Sequence, residues 1–264
     1  MKLSISNIAW QEKYDEEMYD YLYQTGFQGL EIAPTRLFGE TPYENLALAR
    51  NVTKNIKESY RLEISSLQSI LFGKTENLFG SEEERATLFN YLQMAIDFAS
   101  TIDCHNLVFG SPKNRVLQNA EDLHLAASFF KKLGDYASQQ QTILAIEANP
   151  QIYGTNFITT TKQAIDLVEK VNSPGFMINL DLGAIIHTEE DIEEILKKNA
   201  LINHIHISEP HLNVIKKRKI HEQLAEKLKI INYQKFISIE MKDGENIDEV
   251  KSTISYVKGV FGDN

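Results

Sequence analysis

The chain has 264 residues, of which 42% are hydrophobic and 24% are charged, a composition typical of a globular protein with a sizeable core. Its 27 basic and 37 acidic residues give a formal net charge of −10. Because a negative surface repels polyphosphate backbones and anionic lipids, we expect neither a nucleic acid nor a membrane as partner. The lone cysteine, Cys104, excludes an intrachain disulfide. With no signal-peptide pattern and no long apolar run, the sequence predicts a cytoplasmic protein.

Eight short β-like runs recur along the chain, and a helix-like stretch follows each of them. The runs cover residues 3–8, 29–33, 63–70, 106–110, 143–148, 176–182, 204–208 and 236–241. The stretch after the third run has apolar residues at the spacing of one helix face, namely Leu88, Tyr91, Leu92, Ala95, Ile96 and Ala99. Residues 81–84 and 188–191 have the sequence of capping boxes, which predicts that a helix starts at each.

The strict alternation of strands and helices predicts a parallel sheet, and eight repeats predict its closure into a (β/α)8 TIM barrel. We expect one such domain to span residues 1–264. A doubly wound open sheet is the alternative. The sequence contains neither a G-x-G-x-x-G motif nor a P-loop that would support nucleotide binding by such a sheet.

The last four predicted strands each carry a column of polar side chains opposite a column of aliphatic ones. Because side chains alternate between the two faces of a strand, each polar column shares one face, which we expect to point to the barrel axis. The columns end, at the C-terminal ends of their strands, in Glu147, Asp181, His206 and Glu240. TIM barrels carry their active sites at this end, so we expect these side chains to converge there. His204, one layer deeper, is expected to be a hydrogen-bonded core residue.

Three carboxylates in one small volume repel one another and resist ionisation unless a cation neutralises them. We therefore expect Glu147, Asp181, His206 and Glu240 to bind one divalent metal ion. Their mixed oxygen and imidazole donors suit Mn²⁺, Zn²⁺, Co²⁺ or Mg²⁺. A single strand-end acid can equally cap a helix or pair with a lysine, so it is the complete set in successive βα units that favours a metal site.

Several segments resemble the xylose isomerase-like TIM barrel superfamily, specifically its sugar phosphate isomerase/epimerase branch. These segments are residues 29–32 (Gly-Leu-Glu-Ile), 109–112 (Phe-Gly-Ser-Pro), 146–150 (Ile-Glu-Ala-Asn-Pro), 179–183 (Asn-Leu-Asp-Leu-Gly), 204–208 (His-Ile-His-Ile-Ser) and 238–241 (Ser-Ile-Glu-Met). The resemblance covers essentially the whole chain. It implies one metal ion on the four side chains above, and it implies that Glu147 and Glu240 act as opposed acid and base across a substrate.

The resemblance implies a metal-dependent isomerase or epimerase of a sugar, sugar phosphate or related polyol, with a small carbohydrate as binding partner. A metal on the substrate carbonyl and adjacent hydroxyl stabilises the enediolate that forms when a glutamate removes the intervening proton. At three positions the sequence departs from the ketose 3-epimerases of the superfamily, because Ala184, Leu212 and Tyr153 stand in place of a His, an Arg and a Glu. These departures leave the exact reaction open.

Other polar and aromatic residues near the predicted strand ends are candidates for contact with the substrate. They are Asn7, Trp10, Glu31, Gln68, Tyr153, His187 and His211. Packing or capping is an equal alternative for Glu31 and Gln68, and Trp10 can equally lie in the core. The two histidines can also be simply exposed to solvent.

Two basic segments are candidates for an anion clamp. One contains Lys113 and Arg115 after the fourth strand, and the other is the run 216–219 after the seventh strand, near the region where barrels often bind phosphate. For the run 216–219 the favoured alternative is a solvated helix start.

Three other functions stay open. A dehydratase of an inosose-like ketone would use the same enediolate to expel a β-hydroxyl. An endonuclease IV-like DNA repair enzyme would need extra zinc-binding histidines, whereas the second and third strands end in Glu31 and Gln68. A non-catalytic relative would bind a sugar or only keep the fold. Barrels of this type often pair, so a homodimer is a further open alternative.

Overall fold

The computed structural model describes residues 1–243 and 246–262, and in it eight parallel strands form a closed barrel in chain order. Each strand pairs with the next, and β1 pairs with β8 to close the sheet. The strands are β1 Lys2–Ser6, β2 Gly29–Ile32, β3 Glu63–Leu67, β4 Leu107–Phe109, β5 Leu144–Glu147, β6 Phe176–Asp181, β7 Ile202–Ser208 and β8 Phe236–Glu240. The prediction of a (β/α)8 barrel is therefore confirmed.

Helices connect the strands and cover the outside of the barrel. Within the described residues they are α1 Asp15–Thr25, α2 Pro34–Phe38, α3 Leu46–Tyr60, α4 Glu82–Thr101, α5 Leu123–Gln139, α6 Thr161–Val171, α7 Leu182–Thr188, α8 Ile192–Leu196, α9 Lys219–Ile230 and α10 Ile247–Phe261. The apolar face predicted for α4 is buried at Leu88, Leu92 and Ile96. None of the helices in the described ranges combines the length and apolar character needed to cross a membrane.

One of the two predicted capping boxes is confirmed. At the start of α4, Ser81 Oγ accepts a hydrogen bond from the backbone N–H of Glu84 at 3.1 Å. The Glu84 carboxylate in turn accepts one from the backbone N–H of Ser81 at 2.9 Å, so each residue satisfies an unpaired donor of the other.

The second predicted capping box, at residues 188–191, is wrong. α7 ends at Thr188, and α8 begins at Ile192 with Asp191 as its cap. The Glu190 carboxylate instead accepts the backbone N–H groups of Thr161 and Lys162 at the start of α6, each at 2.9 Å. Glu190 thus caps α6, a helix that is close to it in space but not in sequence.

The inside of the barrel is lined by polar side chains that contact one another. Ser4 Oγ lies 2.6 Å from Ser65 Oγ, and Gln68 Nε2 donates to Ser6 Oγ at 2.9 Å. Aliphatic side chains on the other face of the strands are fully buried in the hydrophobic core, among them Ile146, Leu180, Ile205 and Ile239. A polar interior beneath the C-terminal mouth is a setting in which charged groups can be held by hydrogen bonds.

Removal of the α4 cap tests the local analysis. Ser81→Ala leaves the backbone N–H of Glu84 without its acceptor and should lower the free energy of unfolding by about 1 kcal/mol. Urea denaturation measures the change. Ser128→Ala, at an exposed position within α5, is the matched control and should be neutral or slightly stabilising. Equal stabilities of the Ser81 and Ser128 variants would contradict the capping assignment.

Candidate metal centre

The four strand-end side chains come together at the C-terminal mouth of the barrel. Each of Glu147, Asp181, His206 and Glu240 offers one ligand atom, and these atoms all lie within 4.8 Å of one another. They end or nearly end β5, β6, β7 and β8, and because the four strands are parallel neighbours, their C-terminal ends meet at one rim.

His206 lies at the centre of this group. Its Nδ1 atom is 3.1 Å from Glu147 Oε2 and 3.2 Å from Glu240 Oε2. Asp181 lies beside it, with its carboxylate held at both oxygens. The backbone N–H of Ala184 donates to Oδ1 at 2.6 Å, and the Ser208 hydroxyl donates to Oδ2. The imidazole and the three carboxylates therefore face one shared point.

The electrostatics of the cluster favour a cation. Burial, and then the carboxylates of Glu147 and Glu240, raise the pKa of Asp181 to about 8. Burial also raises the pKa of Glu240, although His206 opposes the shift. Burial disfavours a charged His206, but Glu240 and Glu31 attract the proton and hold its pKa well above the usual range. The group thus has more negative charge than one imidazole can balance, and its donors fit a divalent ion.

A second carboxylate system lies directly below. Glu31, on β2, is fully buried, and its Oε2 atom lies 2.9 Å from His206 Nε2 and 3.2 Å from His204 Nε2. Burial alone would raise the pKa of Glu31, but attraction to His206, the hydrogen bond from His206 and the nearby His204 imidazole hold it well below its usual range. Glu31 is therefore an ionised group beneath the cluster, out of reach of the cavity.

Amide side chains hold the Glu147 carboxylate. Asn149 Nδ2 donates to Oε1 at 2.8 Å, and Asn179 Nδ2 donates to Oε2 at 2.6 Å. A Cβ at position 110 would lie 3.0 Å from Glu147 Oε1, so the glycine there leaves room for the carboxylate. Neither asparagine was singled out from the sequence as a site residue, although both lie in segments that carry the family resemblance.

Arg115 does not form the anion clamp for which its segment was a candidate. It is fully buried, and its guanidinium donates to the backbone oxygens of Glu147 and Phe157 at 2.8 and 3.0 Å and to Asn149 Oδ1 at 2.6 Å. The donors of its two terminal nitrogens are committed to the loop after β5, where a buried cation compensates several carbonyl groups at once. Arg115 therefore supports the backbone beneath Glu147 and Asn149.

The run 216–219 has a local structural role at Arg218. The Arg218 guanidinium makes two hydrogen bonds of 2.6 Å to the buried carboxylate of Glu209, and α9 begins at the next residue. The helix-start alternative therefore describes this run. Of the lysines in the two basic segments, Lys113 lines the cavity above the cluster and is exposed.

A cavity of about 530 Å³ opens above the four side chains. Glu147, Asp181 and Glu240 form part of its floor, and much of the remaining lining is apolar: Leu71, Phe72, Val108, Pro112 and Leu212. Phe72 is 69% exposed. It lies in the loop after β3, and no sequence pattern marked it. A second cavity, of about 590 Å³, lies at the opposite end of the barrel, where the strands begin, and it does not contain the three carboxylates.

Three of the seven candidates for substrate contact lie at the cavity. Gln68 and Tyr153 line the cavity. His211 lies at its rim, where the backbone N–H donates to the Tyr153 hydroxyl at 2.7 Å and the two rings are 5.8 Å apart. Asn7 is fully buried, with Oδ1 accepting from the backbone N–H of Ala33, so it belongs to the barrel interior.

Trp10 and His187, like Asn7 and Glu31, lie away from the cavity. Trp10 is buried, and its indole N–H donates to Asp15 at 2.8 Å, so the core alternative describes it. His187 is exposed in the last turn of α7 and is not among the residues that line the cavity. His187 lies in a helix rather than at the end of a strand, so the alternation of strand residues does not predict its position.

Residues 19–259 match the model of the xylose isomerase-like TIM barrel family, and the chain therefore belongs to this family. No curated protein sequence matches it. The eight strands lie within residues 2–240, and nearly all of the matched segment falls in this range. The family match and the closed sheet therefore concern the same part of the chain.

Solved structures with the same fold include several enzymes that act on sugars. A 3-keto-D-glucoside 4-epimerase from E. coli is 17% identical, with a TM-score of 0.80 over 98% of this chain and 99% of that chain. A D-psicose 3-epimerase solved in the presence of D-fructose is 17% identical, with a TM-score of 0.81 over 100% of both chains. A probable 3-DHS dehydratase from Bacillus anthracis is 17% identical, with a TM-score of 0.72 over 98% of this chain and 99% of that chain. At these identities the likeness establishes the fold alone.

The raised pKa of Asp181 predicts the pH dependence of stability in chelator-treated protein. An acid whose folded pKa is about 8, against a usual value of 3.8, binds its proton in the folded state while the unfolded state has lost it. Its contribution is complete below the unfolded pKa and is lost as pH rises through 8, with a slope of up to about 1.4 kcal/mol per pH unit. Asp181→Asn should remove this loss and make the metal-free protein more stable than wild type near pH 8.

Urea denaturation between about pH 5 and pH 8 measures this effect. Asp135→Asn is the matched control, because hydrogen bonds from Lys131 and Ser173 lower the pKa of Asp135 and place its titration below that range. The control should keep the wild-type slope. If Asp181→Asn kept the wild-type dependence of stability on pH, Asp181 would not be the group whose ionisation destabilises the metal-free protein.

Proposed function

We propose that this protein is a metal-dependent isomerase or epimerase of a small carbohydrate. The observation that carries the proposal is the convergence of three carboxylates and one imidazole within 4.8 Å, on the floor of an open cavity at the C-terminal mouth of the barrel. The solved structures that share the fold and act on keto-sugars support the choice of substrate class.

Glu147, Asp181, His206 and Glu240 would hold one divalent ion, with Mn²⁺, Zn²⁺, Co²⁺ and Mg²⁺ as the candidates. Such an ion withdraws electron density from a ketose carbonyl and its neighbouring hydroxyl and stabilises the negative charge that develops when the intervening C–H loses its proton. The set fits the ion because His206 offers Nδ1 to the same point that the three carboxylates face.

Glu147 and Glu240 would move the proton. They end β5 and β8, which lie on different sides of the closed barrel, so their carboxylates approach a bound substrate from two directions. One glutamate removes the proton, and return of a proton to the other face gives an epimer, whereas return to the neighbouring carbon gives an isomer. Burial raises the pKa of Glu240, so its carboxylate holds a proton more readily than that of an exposed glutamate.

The remaining cavity residues would position the substrate. Gln68 and Tyr153 can bond sugar hydroxyls, and the exposed ring of Phe72 can cover an apolar face of the ring or chain. Lys113 is available for a phosphate group on a longer substrate. Both free ketoses and ketose phosphates therefore belong in the test.

Exchange of solvent deuterium into carbon-bound positions of ketoses and ketose phosphates tests the proposal, with product mass recorded for each. The Mn²⁺-loaded protein should incorporate deuterium into at least one member of the panel. Glu147→Gln and Glu240→Gln should each lower the exchange rate by about 10²–10⁴-fold, because an acid–base group is lost. Glu63→Gln, an exposed glutamate at the opposite end of the barrel, should leave the rate unchanged.

The other outcomes separate the alternative functions. Loss of one water from a substrate would identify a dehydratase. Cleavage of an abasic DNA duplex in the presence of Zn²⁺ would identify a repair enzyme. Metal and sugar binding without exchange or cleavage would identify a non-catalytic relative. Each of these results would contradict the proposed isomerase or epimerase activity.

A further inference from the structure

We propose that Glu31 is a positioning residue that fixes the ring of His206, so that Nε2 donates to Glu31 and Nδ1 is the nitrogen presented to the metal ion. The inference rests on the metal site of the proposed function. It concerns a residue that the proposed proton transfer does not use and that lies below the cavity.

The geometry of the imidazole supports this role. Its two nitrogens have different surroundings, since Nε2 is 2.9 Å from Glu31 Oε2, whereas Nδ1 is 3.1 and 3.2 Å from Glu147 and Glu240. Because Glu31 can only accept hydrogen bonds when ionised, it selects the ring state with a proton on Nε2. The lone pair of Nδ1, which Asn179 Nδ2 contacts at 3.1 Å, is then the one that a cation would take in place of this amide. The hydrogen bond to a carboxylate makes the imidazole a stronger ligand.

The position of Glu31 supports the same conclusion. Its side chain is fully buried, and Oε2 faces the imidazoles of His206 and His204 at 2.9 and 3.2 Å. A buried carboxylate is costly unless its hydrogen bonds are made, so turning the His206 ring away from it would be unfavourable. His204, at 3.2 Å from the same oxygen, helps to keep the carboxylate aimed at this point.

The sheet is irregular beside these residues. The β2–β3 register shifts between Leu30 and Glu31, and the β6–β7 register shifts between Ile178 and Asn179. Such irregularities re-aim side chains and are frequent next to active sites. Here they flank Glu31 and Asn179, two interior residues that contact His206.

Zn²⁺ binding, measured by competition with a chromophoric chelator at constant pH, tests the proposal without an activity assay. Glu31→Met keeps the length and burial of the side chain but removes the acceptor, and the Zn²⁺ dissociation constant should rise by about 10- to 100-fold. Glu31→Gln keeps a carbonyl acceptor and should show a smaller rise, of about 3- to 10-fold. Asn106→Leu, which removes a buried amide that bonds to Ser66 in the barrel interior, is the matched control and should stay at the wild-type value.

Nitrogen-15 spectra of the Zn²⁺-loaded, histidine-labelled protein provide the second readout, with His206 assigned by His206→Asn. Wild type and Glu31→Gln should show His206 in one state, with zinc on Nδ1 and a proton on Nε2. In Glu31→Met the imidazole should no longer be confined to this state. A folded Glu31→Met protein with wild-type affinity and spectrum would overturn the role of Glu31. If Glu31→Met does not fold, an unchanged affinity in Glu31→Gln overturns it, and a rise supports it. Failure of wild type to bind Zn²⁺ would instead overturn the metal site of the proposed function.

Discussion

The concentration of carboxylates at the C-terminal mouth of the barrel is the constraint on which the rest of the structure depends. Glu147, Asp181 and Glu240 surround a single imidazole in a buried setting, where mutual repulsion is weakly screened. A flexible loop would relieve the repulsion by moving apart. Here the groups end parallel strands of a closed sheet, so the fold holds them together. Such strain is typical of sites in which stability is given up for function.

The surrounding residues manage this charge in layers. Asn149, Asn179 and Ser208 fix two of the three carboxylates with hydrogen bonds. Below them, Glu31 compensates His206 from the barrel interior, and to one side Arg115 fixes the backbone that carries Glu147. The cluster is thus built into the polar interior of the barrel, whereas the apolar cavity walls above it belong to the connecting loops.

Much of this arrangement is readable from the sequence because strands follow a strict two-residue period. The eight strands and the polar columns that end at Glu147, Asp181, His206 and Glu240 follow from that period. The sequence was less informative in the loops, where this two-residue period does not apply. Whether Trp10 lies in the core or at the cavity, and whether Arg115 faces a ligand or a backbone carbonyl, depends on contacts between loops far apart in sequence. The sequence does not predict that Phe72 lines the cavity for the same reason, since a loop has no repeat from which the direction of a side chain can be inferred.

Anomalous diffraction from crystals soaked in Mn²⁺ tests the central claim most directly. The account predicts one ion per chain at the barrel mouth, with Nδ1 of His206 and oxygens of Glu147, Asp181 and Glu240 each at about 2.0–2.3 Å, the range of first-row metal–ligand bonds. The account would be contradicted if no anomalous peak lay among these four side chains, or if the ion were bound elsewhere on the chain instead.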